Sequence, residues 1–438
     1  MPQPAPVEPP KVSIDEAQAR YYAEIVAGAH AVGPRGRIVF CVSTDDLDEG
    51  KGDPYVALGL GRYLVEEGWG VSLWPIRRWH ERTAPEPDVA IVMLDSYIPG
   101  LLPQATATIA WVRNWTDTWA ALPYLEEFDG VWASSPASAE ALGTRYSGEV
   151  SVVPIGVDLQ VFPSGDDDRP LPVVTTANFW GAERQIQSAL TLVSESVPVV
   201  WFGANGAHLR RGAAITHADR ASFFGVGSVY RQSRVVVDDL IAAARAYGSH
   251  NSRLFEAIAS GAVPITNQRA GLDYLGLGEV PTYDDDASLA ATVHSLLEDD
   301  AAFRERAGRL QRVVFERHSF ARRAQDVLPL IDAARERAGL RGPRPAMLVW
   351  AASERVRLQS AEALRDGHLI TVRRLEREMD DVRASAEQCA RDLRDLRARR
   401  DDLDSELRRI RSSRVHRVAQ HVSDVIAGVR ARGSRRTP

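Results

Sequence analysis

The stretch Gly248–Thr266, GSHNSRLFEAIASGAVPIT, decides the reading of the chain. Leu254, Phe255, Ile258 and Ala259 fall on one face at helical spacing, with Glu256 near the helix start. Gly261 stands where a left-handed residue ends a helix most cheaply, and AVPIT then reads as a short buried strand. The order is polar loop, helix, glycine stop, strand. Ser249, His250, Asn251, Ser252 and Arg253 sit at the helix start, where free N–H groups and the positive dipole end make an anion site. A carboxylate one turn in, at Glu256, suits a sugar diol, as an acidic residue grips ribose in dinucleotide folds. It equally suits a capped core helix whose Glu256 answers the dipole.

Outward from this stretch, apolar runs alternate with helical patterns in two series. RIVFCVS (37–43), VSLWPI (71–76), DVAIVML (88–94), TIAWV (108–112), GVWASS (130–135) and VSVVPIG (150–156) are strands of a first doubly wound domain, 35–163. A Pro-rich lead and one helix precede it, 1–34. The polar segment 164–172 reads as a linker. VVTTANF, PVVWFG and RVVVDD then open a second α/β domain, 173–340, which the long helical pattern from Ser288 to Ala334 closes. Two such domains facing one cleft place ligands beyond the carboxyl ends of the strands.

The opening stretch resembles the C-terminal signature of family 4 glycosyltransferases and their spore-maturation-type relatives, which have the GT-B fold. In their pattern R-x-F-E-A-x-A-x-G-x-x-P-I the acidic residue holds the nucleotide ribose, and Glu256 occupies that position. The family 4 pattern has a further Glu eight residues earlier, where this chain has Gly248. A second likeness is SSPASAEALGTRYSGEVSVVPIGVDLQVF, Ser134 to Phe162, which resembles the end of the first domain and entry to the linker. The resemblance implies transfer of a sugar, with retention at the anomeric carbon, from a nucleoside diphosphate sugar to a glycan or lipid-linked acceptor. It implies a basic residue from the NFWGAE loop at the phosphates, matched loosely by Arg184, and no metal or other cofactor.

On the residues themselves, Arg184 and Arg253 are the candidate diphosphate cations, with the helix start at Ser249, His250 and Asn251. Gly50, Gly52 and Asp53 follow the first strand, in a loop whose glycines permit close backbone approach to an acceptor. Arg113 and Asn114 follow TIAWV and project toward the same cleft. Asp53 is the first candidate base, with Arg113 and Asn114 beside it in the catalytic set. Asp238 and Asp239 end a strand and serve either the site or a helix cap. The 10 His show no metal-ligand spacing, so no metal site is expected.

Beyond the two domains, Val372, Leu375, Met379, Val382, Ala386, Cys389, Leu393, Leu396, Leu403, Leu407 and Ile410 recur at alternating threes and fours, with Arg400 the one charged seam position. This heptad pattern predicts a coiled coil over 350–412, hence self-association or pairing with another helix. The tail 413–438 is basic and amphipathic, which fits either an anionic membrane surface or a fraying continuation of the coil. A net charge of −6 argues against a nucleic-acid partner. The 2 Cys lie in different modules, and no apolar run reaches membrane-spanning length. The expectation is a bacterial, cytoplasmic enzyme, with the tail able to rest on the inner face of the cell membrane. Two rival readings are a nucleotide-sugar epimerase on the same fold and a non-catalytic coiled-coil assembly protein with a decayed transferase body.

Overall fold

The structure is a computed structural model that describes residues 7–9, 12–79, 86–165, 168–177, 186–203, 214–218 and 220–433. The chain forms two units, Met1–Ser360 and Ala361–Pro438. The larger unit contains two lobes. The first has α1 (Glu16–Val26), β1 (Arg37–Val42), α2 (Gly52–Glu66), β2 (Gly70–Pro75), β3 (Val89–Val92), β4 (Ala107–Val112), α3 (Thr116–Ala120), β5 (Gly130–Ala133), α4 (Pro136–Gly143) and β6 (Val150–Val152). Its parallel sheet runs β2-β1-β3-β4-β5-β6. The strands are buried almost end to end, as helices on both faces require.

The second lobe has β7 (Leu171–Thr175), α5 (Ile186–Val193), β8 (Val199–Phe202), β9 (Ile215–Ala218), α6 (Phe223–Arg231), β10 (Ser233–Asp238), α7 (Ala242–Arg245), α8 (Ser252–Ala259), β11 (Val263–Thr266) and α9 (Leu272–Leu275). Its parallel sheet runs β11-β10-β7-β8-β9. The strand β7 begins inside the segment read as linker, because Leu171 is a fully buried core residue. Four elements, β9, α6, α7 and α9, have no counterpart in the sequence reading. The strand β9 is an edge strand, only partly buried and therefore weakly patterned.

The helical pattern from Ser288 onward breaks into α10 (Asp286–Glu298), α11 (Asp300–Arg317) and α12 (Phe320–Leu340). Each break has a local cause. Asp285 and Ser288 form a capping box, Asp299 accepts from the amides of Ala301 and Ala302, and Ser319 accepts from that of Arg322. The last of these helices does not close the second lobe. Instead α12 packs on α2, β4 and β5 of the first, its entry fixed where Ser319 bridges Val157. The following segment continues across that lobe: Arg341 pairs with buried Asp129, and Arg344 donates to the carbonyls of Leu102 and Pro103 at 3.2 Å. The sequence boundary at 340 therefore divides chain order and not packing.

The connection between lobes turns on Asp158, which is buried. It accepts from the phenols of Tyr22 and Tyr63, each at 2.9 Å, from the Gln160 amide at 2.9 Å and from Arg62 at 3.3 Å. Burial and the neighbouring carboxylate hold both phenols far above their ordinary pKa, so they remain donors.

A helix α13 (Ala346–Ser412) follows, then α14 (Arg414–Gly433). Leu348 and Ala352, in its first turns, are buried against Ile98. Within the smaller unit the seam positions from Val372 to Ile410 that carry large apolar side chains are exposed, about half or more of each. So are Val415, Val418, Val422, Val425, Ile426 and Val429 of α14. No helix among the described residues is long and apolar enough to cross a membrane.

Candidate functional site

In each sheet the chain leaves two neighbouring strands in opposite directions, which opens a crevice at their carboxyl ends. In the second lobe this switch point lies between β7 and β10. Arg253, in the first turn of α8, spans it. Its guanidinium donates to Asp238 Oδ1 at 2.7 Å, to Thr176 Oγ1 at 3.1 Å and to the Thr176 carbonyl at 2.8 Å. Asp238 has no exposure, and Asn251 Nδ2 donates to the same oxygen at 2.9 Å. Burial opposes the charge on Arg253, but Asp238 and Tyr230 outweigh it, and the guanidinium stays protonated above its ordinary pKa. Arg253, expected from sequence at the diphosphate, is thus a brace across the crevice as well as part of the cavity wall. The other predicted cation, Arg184, lies outside the described residues.

Glu256 stands one turn further into α8, 8% exposed, on the wall of a cavity of about 300 Å³. Thr176, Tyr230, Ser252 and Arg253 line the same space. Burial pushes the Glu256 carboxyl up to about 7, against the pull of the Ser252 hydroxyl and of Arg253, while Asp238 adds to the rise. No side-chain bond caps α8, because the Asn251 side chain is turned to Asp238. The first-turn amides therefore lack the usual intramolecular acceptor.

The loop before α8 is held from both lobes. Gly248 and Gly271 both have left-handed backbones, φ 64° and 88°, and lie back to back; a Cβ on Gly271 would come within 2.2 Å of the Gly248 carbonyl oxygen. A Cβ at Gly248 would itself press on the Ala270 backbone at 3.1 Å, a tight contact at a left-handed position that favours glycine. Ser249 Oγ meets Ser134 Oγ at 2.7 Å, and Ser135 Oγ donates to the Tyr247 carbonyl at 2.5 Å. Both Ser134 and Ser135 follow β5 of the first lobe. His250 donates from Nε2 to the Ala270 carbonyl at 3.0 Å, which leaves Nδ1 buried and without a partner. Burial lowers its pKa, so the ring is neutral.

The first lobe's switch point lies between β1 and β3. A second cavity, about 410 Å³, opens there, lined by Asp53, Asp95, Arg113, Asn114 and Trp115, with Ser249 to Ser252 on the facing side. Asp53 is tied down: its carboxylate accepts from the Ser43 amide at 2.6 Å and hydroxyl at 2.7 Å, pinning the end of β1 to the start of α2. Arg113 donates to the Met93 carbonyl at 3.3 Å, and its Nε is buried without a partner. Burial lowers its pKa and Asp53 partly offsets this. Asn114 is half-buried on the same wall.

Gly52, Val56, Asn251 and Ser252 line both cavities, so the two adjoin. Gly50, left-handed at φ 70°, faces the smaller one, where Arg220 of the second lobe reaches over it to the Asp48 carbonyl. Lys51 lines that cavity too. Lys51 and Arg220 are the cations that sequence reasoning missed. Lys51 was adjacent to the glycines, but nothing in the local pattern around Arg220 shows a contact that crosses between lobes. The strand-ending Asp238 was visible as an acid and is here the partner of Arg253; Asp239 binds Asn267 Nδ2 at 3.0 Å.

Residues 184–329 match the family described as glycosyl transferase-like. A search of curated proteins finds no match to the chain. Among solved structures, the sucrose-phosphate synthase of Thermosynechococcus elongatus is similar at TM-score 0.50 and 13% identity, over 67% of this chain and 98% of that one. HepE of Anabaena, in complex with UDP-glucose, is similar at TM-score 0.52 and 11% identity, over 68% and 100%. A glycosyltransferase of Rickettsia africae is similar at TM-score 0.50 and 10% identity, over 68% and 98%. At these identities the likeness is one of fold, and the fold is GT-B with an added helical C-terminal region.

Proposed function

We propose that the protein is a glycosyltransferase that moves a sugar from a nucleoside diphosphate sugar to a glycan or lipid-linked acceptor, in bacterial cell-surface polysaccharide or glycoconjugate synthesis. The observation that carries this reading is the placement of one loop. Its Asn251 and Ser252 wall both crevices, and Ser249 and His250 wall the first lobe's, so a donor seated over Glu256 opens directly onto the first lobe's cavity. The acceptor oxygen forms a bond to the anomeric carbon, the bond from that carbon to the diphosphate oxygen breaks, and the hydroxyl proton leaves with the departing nucleotide or to solvent.

In this arrangement Glu256 accepts the ribose hydroxyls. The α8 amides, with Lys51, Arg220 and Arg184, neutralise the diphosphate in place of a resident metal. Arg253 and Asp238 hold the crevice open at a fixed width. Arg113 and Asn114 face the acceptor, and Asp53 holds Gly52 and the loop in position. The exposed heptad seam of α13 supports self-association through a coiled coil, and the exposed valines of α14 among arginines support contact with an anionic membrane surface from the cytoplasmic side.

The test is calorimetric titration of the full chain with UDP, ADP, GDP and dTDP and their glucose esters, without added metal. Selective binding that weakens by about 1–3 kcal/mol in Glu256→Ala supports the donor site. An epimerase would interconvert the bound sugar with no acceptor present. A folded protein that binds none of the probes would be the assembly protein.

A further inference from the structure

The larger cavity holds a feature that donor binding does not use. Trp115 is, among the described residues, the one residue other than glycine with a left-handed backbone, at φ 58°. For a bulky side chain this conformation is strained, and such strain persists only where surrounding structure enforces it. The seven tryptophans that the structure buries are at most 4% exposed; Trp115 is 53% exposed, on the wall of the cavity at the β1/β3 switch point. An exposed indole held at a strained position gains nothing for the core. Around it, the Asp95 carboxylate and the Asn114 amide carry no hydrogen bond among the described residues, and Arg113 Nε is buried without one. A flat apolar plate ringed by unspent donors and acceptors complements one chemical class: a sugar ring, which has a C–H face and a rim of hydroxyls.

The geometry points to Trp115 as the platform on which a pyranose of the acceptor stacks, so that the acceptor presents a sugar ring at the transfer point and not a bare lipid or a protein side chain. Asp95 and Asn114 take the ring hydroxyls and set which epimer fits. The Ser249 to Ser252 loop on the facing side closes the ring's other edge toward the donor crevice. This inference rests on the reading of the cleft as a sugar-transfer site.

The test uses the full chain and methyl glycosides of glucose, galactose, mannose and N-acetylglucosamine, read by saturation-transfer NMR and tryptophan fluorescence. Trp115→Gly and Trp115→Asn remove the ring at a position whose backbone suits both residues, so neither variant is expected to unfold. At least one glycoside should bind the wild type, weaken ~10-fold or more in both variants and recover in Trp115→Tyr, which keeps a plate. Nucleoside diphosphate glucose binding and the unfolding midpoint should stay as in the wild type. Equal glycoside affinity in Trp115→Gly, or no glycoside bound by the wild type, overturns the proposal. So does a variant that loses binding to phosphatidylglycerol vesicles instead, since Trp115 would then be a membrane wedge. Donor binding reports the Glu256 crevice alone. Its presence without a glycoside platform sinks only this inference, and its absence with glycoside binding intact sinks only the transferase reading.

Discussion

On the proposed donor site, Glu256 should make the affinity for a nucleotide sugar depend on pH, in a direction set by its burial. Its carboxyl is raised from 4.5 to about 7, first by burial. A ribose diol brings two O–H donors, which the carboxylate accepts on both oxygens; the neutral acid can accept fully on one and must place a proton of its own. Binding therefore requires the ionised form. That form is about half populated at pH 7, ~10% at pH 6 and ~90% at pH 8, so affinity should rise close to ~10-fold, or ~1.3 kcal/mol, over those two units. The probe must not titrate in the same window, and a nucleoside diphosphate glucose, a diester at its terminal phosphate, does not. Calorimetry in two buffers of different ionisation enthalpy reads the released proton directly: close to one per ligand at pH 6, falling toward none at pH 8. In Glu256→Gln both the slope and the proton release should vanish. A wild-type affinity flat across this range, with no proton released, would refute the placement of the diol on Glu256. The same shift bears on the empty protein. Because the folded pKa is raised, the folded state binds the extra proton between about pH 4.5 and 7, and stability falls as pH rises through that window. Glu256→Gln removes this dependence and should raise stability above pH 7 by no more than ~3 kcal/mol.

Four further outcomes follow from the same geometry. Arg253→Met leaves buried Asp238 without its cation and should cost ~3–5 kcal/mol in denaturant unfolding; wild-type stability would show that Arg253 is a ligand residue and not a brace. Gly271→Ala forces a Cβ onto the Gly248 carbonyl at a left-handed position and should destabilise by ~2 kcal/mol or more, with weaker nucleotide binding because the Ser249 to Ser252 loop shifts. A chain ending at Ser360 keeps Arg344, Leu348 and Ala352 on the first lobe, so it should unfold at the full chain's midpoint while sizing as a monomer; an unchanged oligomeric state would remove the coiled coil from the account. Chelation with EDTA should leave transfer unchanged, whereas Lys51→Ala with Arg220→Ala should weaken nucleoside diphosphate binding more than nucleoside binding, by ~10-fold or more.

The sequence by itself determined the two α/β series, the helix-and-strand reading of Gly248–Thr266, the place of Glu256 and the heptad seam. Each is a local periodicity or a turn residue, and each survives without knowledge of neighbours. Burial on both faces makes the strands legible as apolar runs, and φ above zero at Gly261 makes the end of the helix legible as a glycine. What an exposed side chain or a titrating group does was settled only by tertiary structure. Asp53, read as a candidate base, is bound to Ser43, and Arg253, read as a candidate diphosphate cation, is bonded to Asp238 and Thr176, partners 10 to 77 residues away that no local pattern names. The crossing of α12 to the first lobe and the reach of Arg220 over Gly50 have no local pattern, since each depends on how two lobes meet and not on what either strand or helix needs. A periodic pattern records which face is buried; the choice of partner for that face, and the polar groups left over to bind something else, are decided when the sheets are brought together.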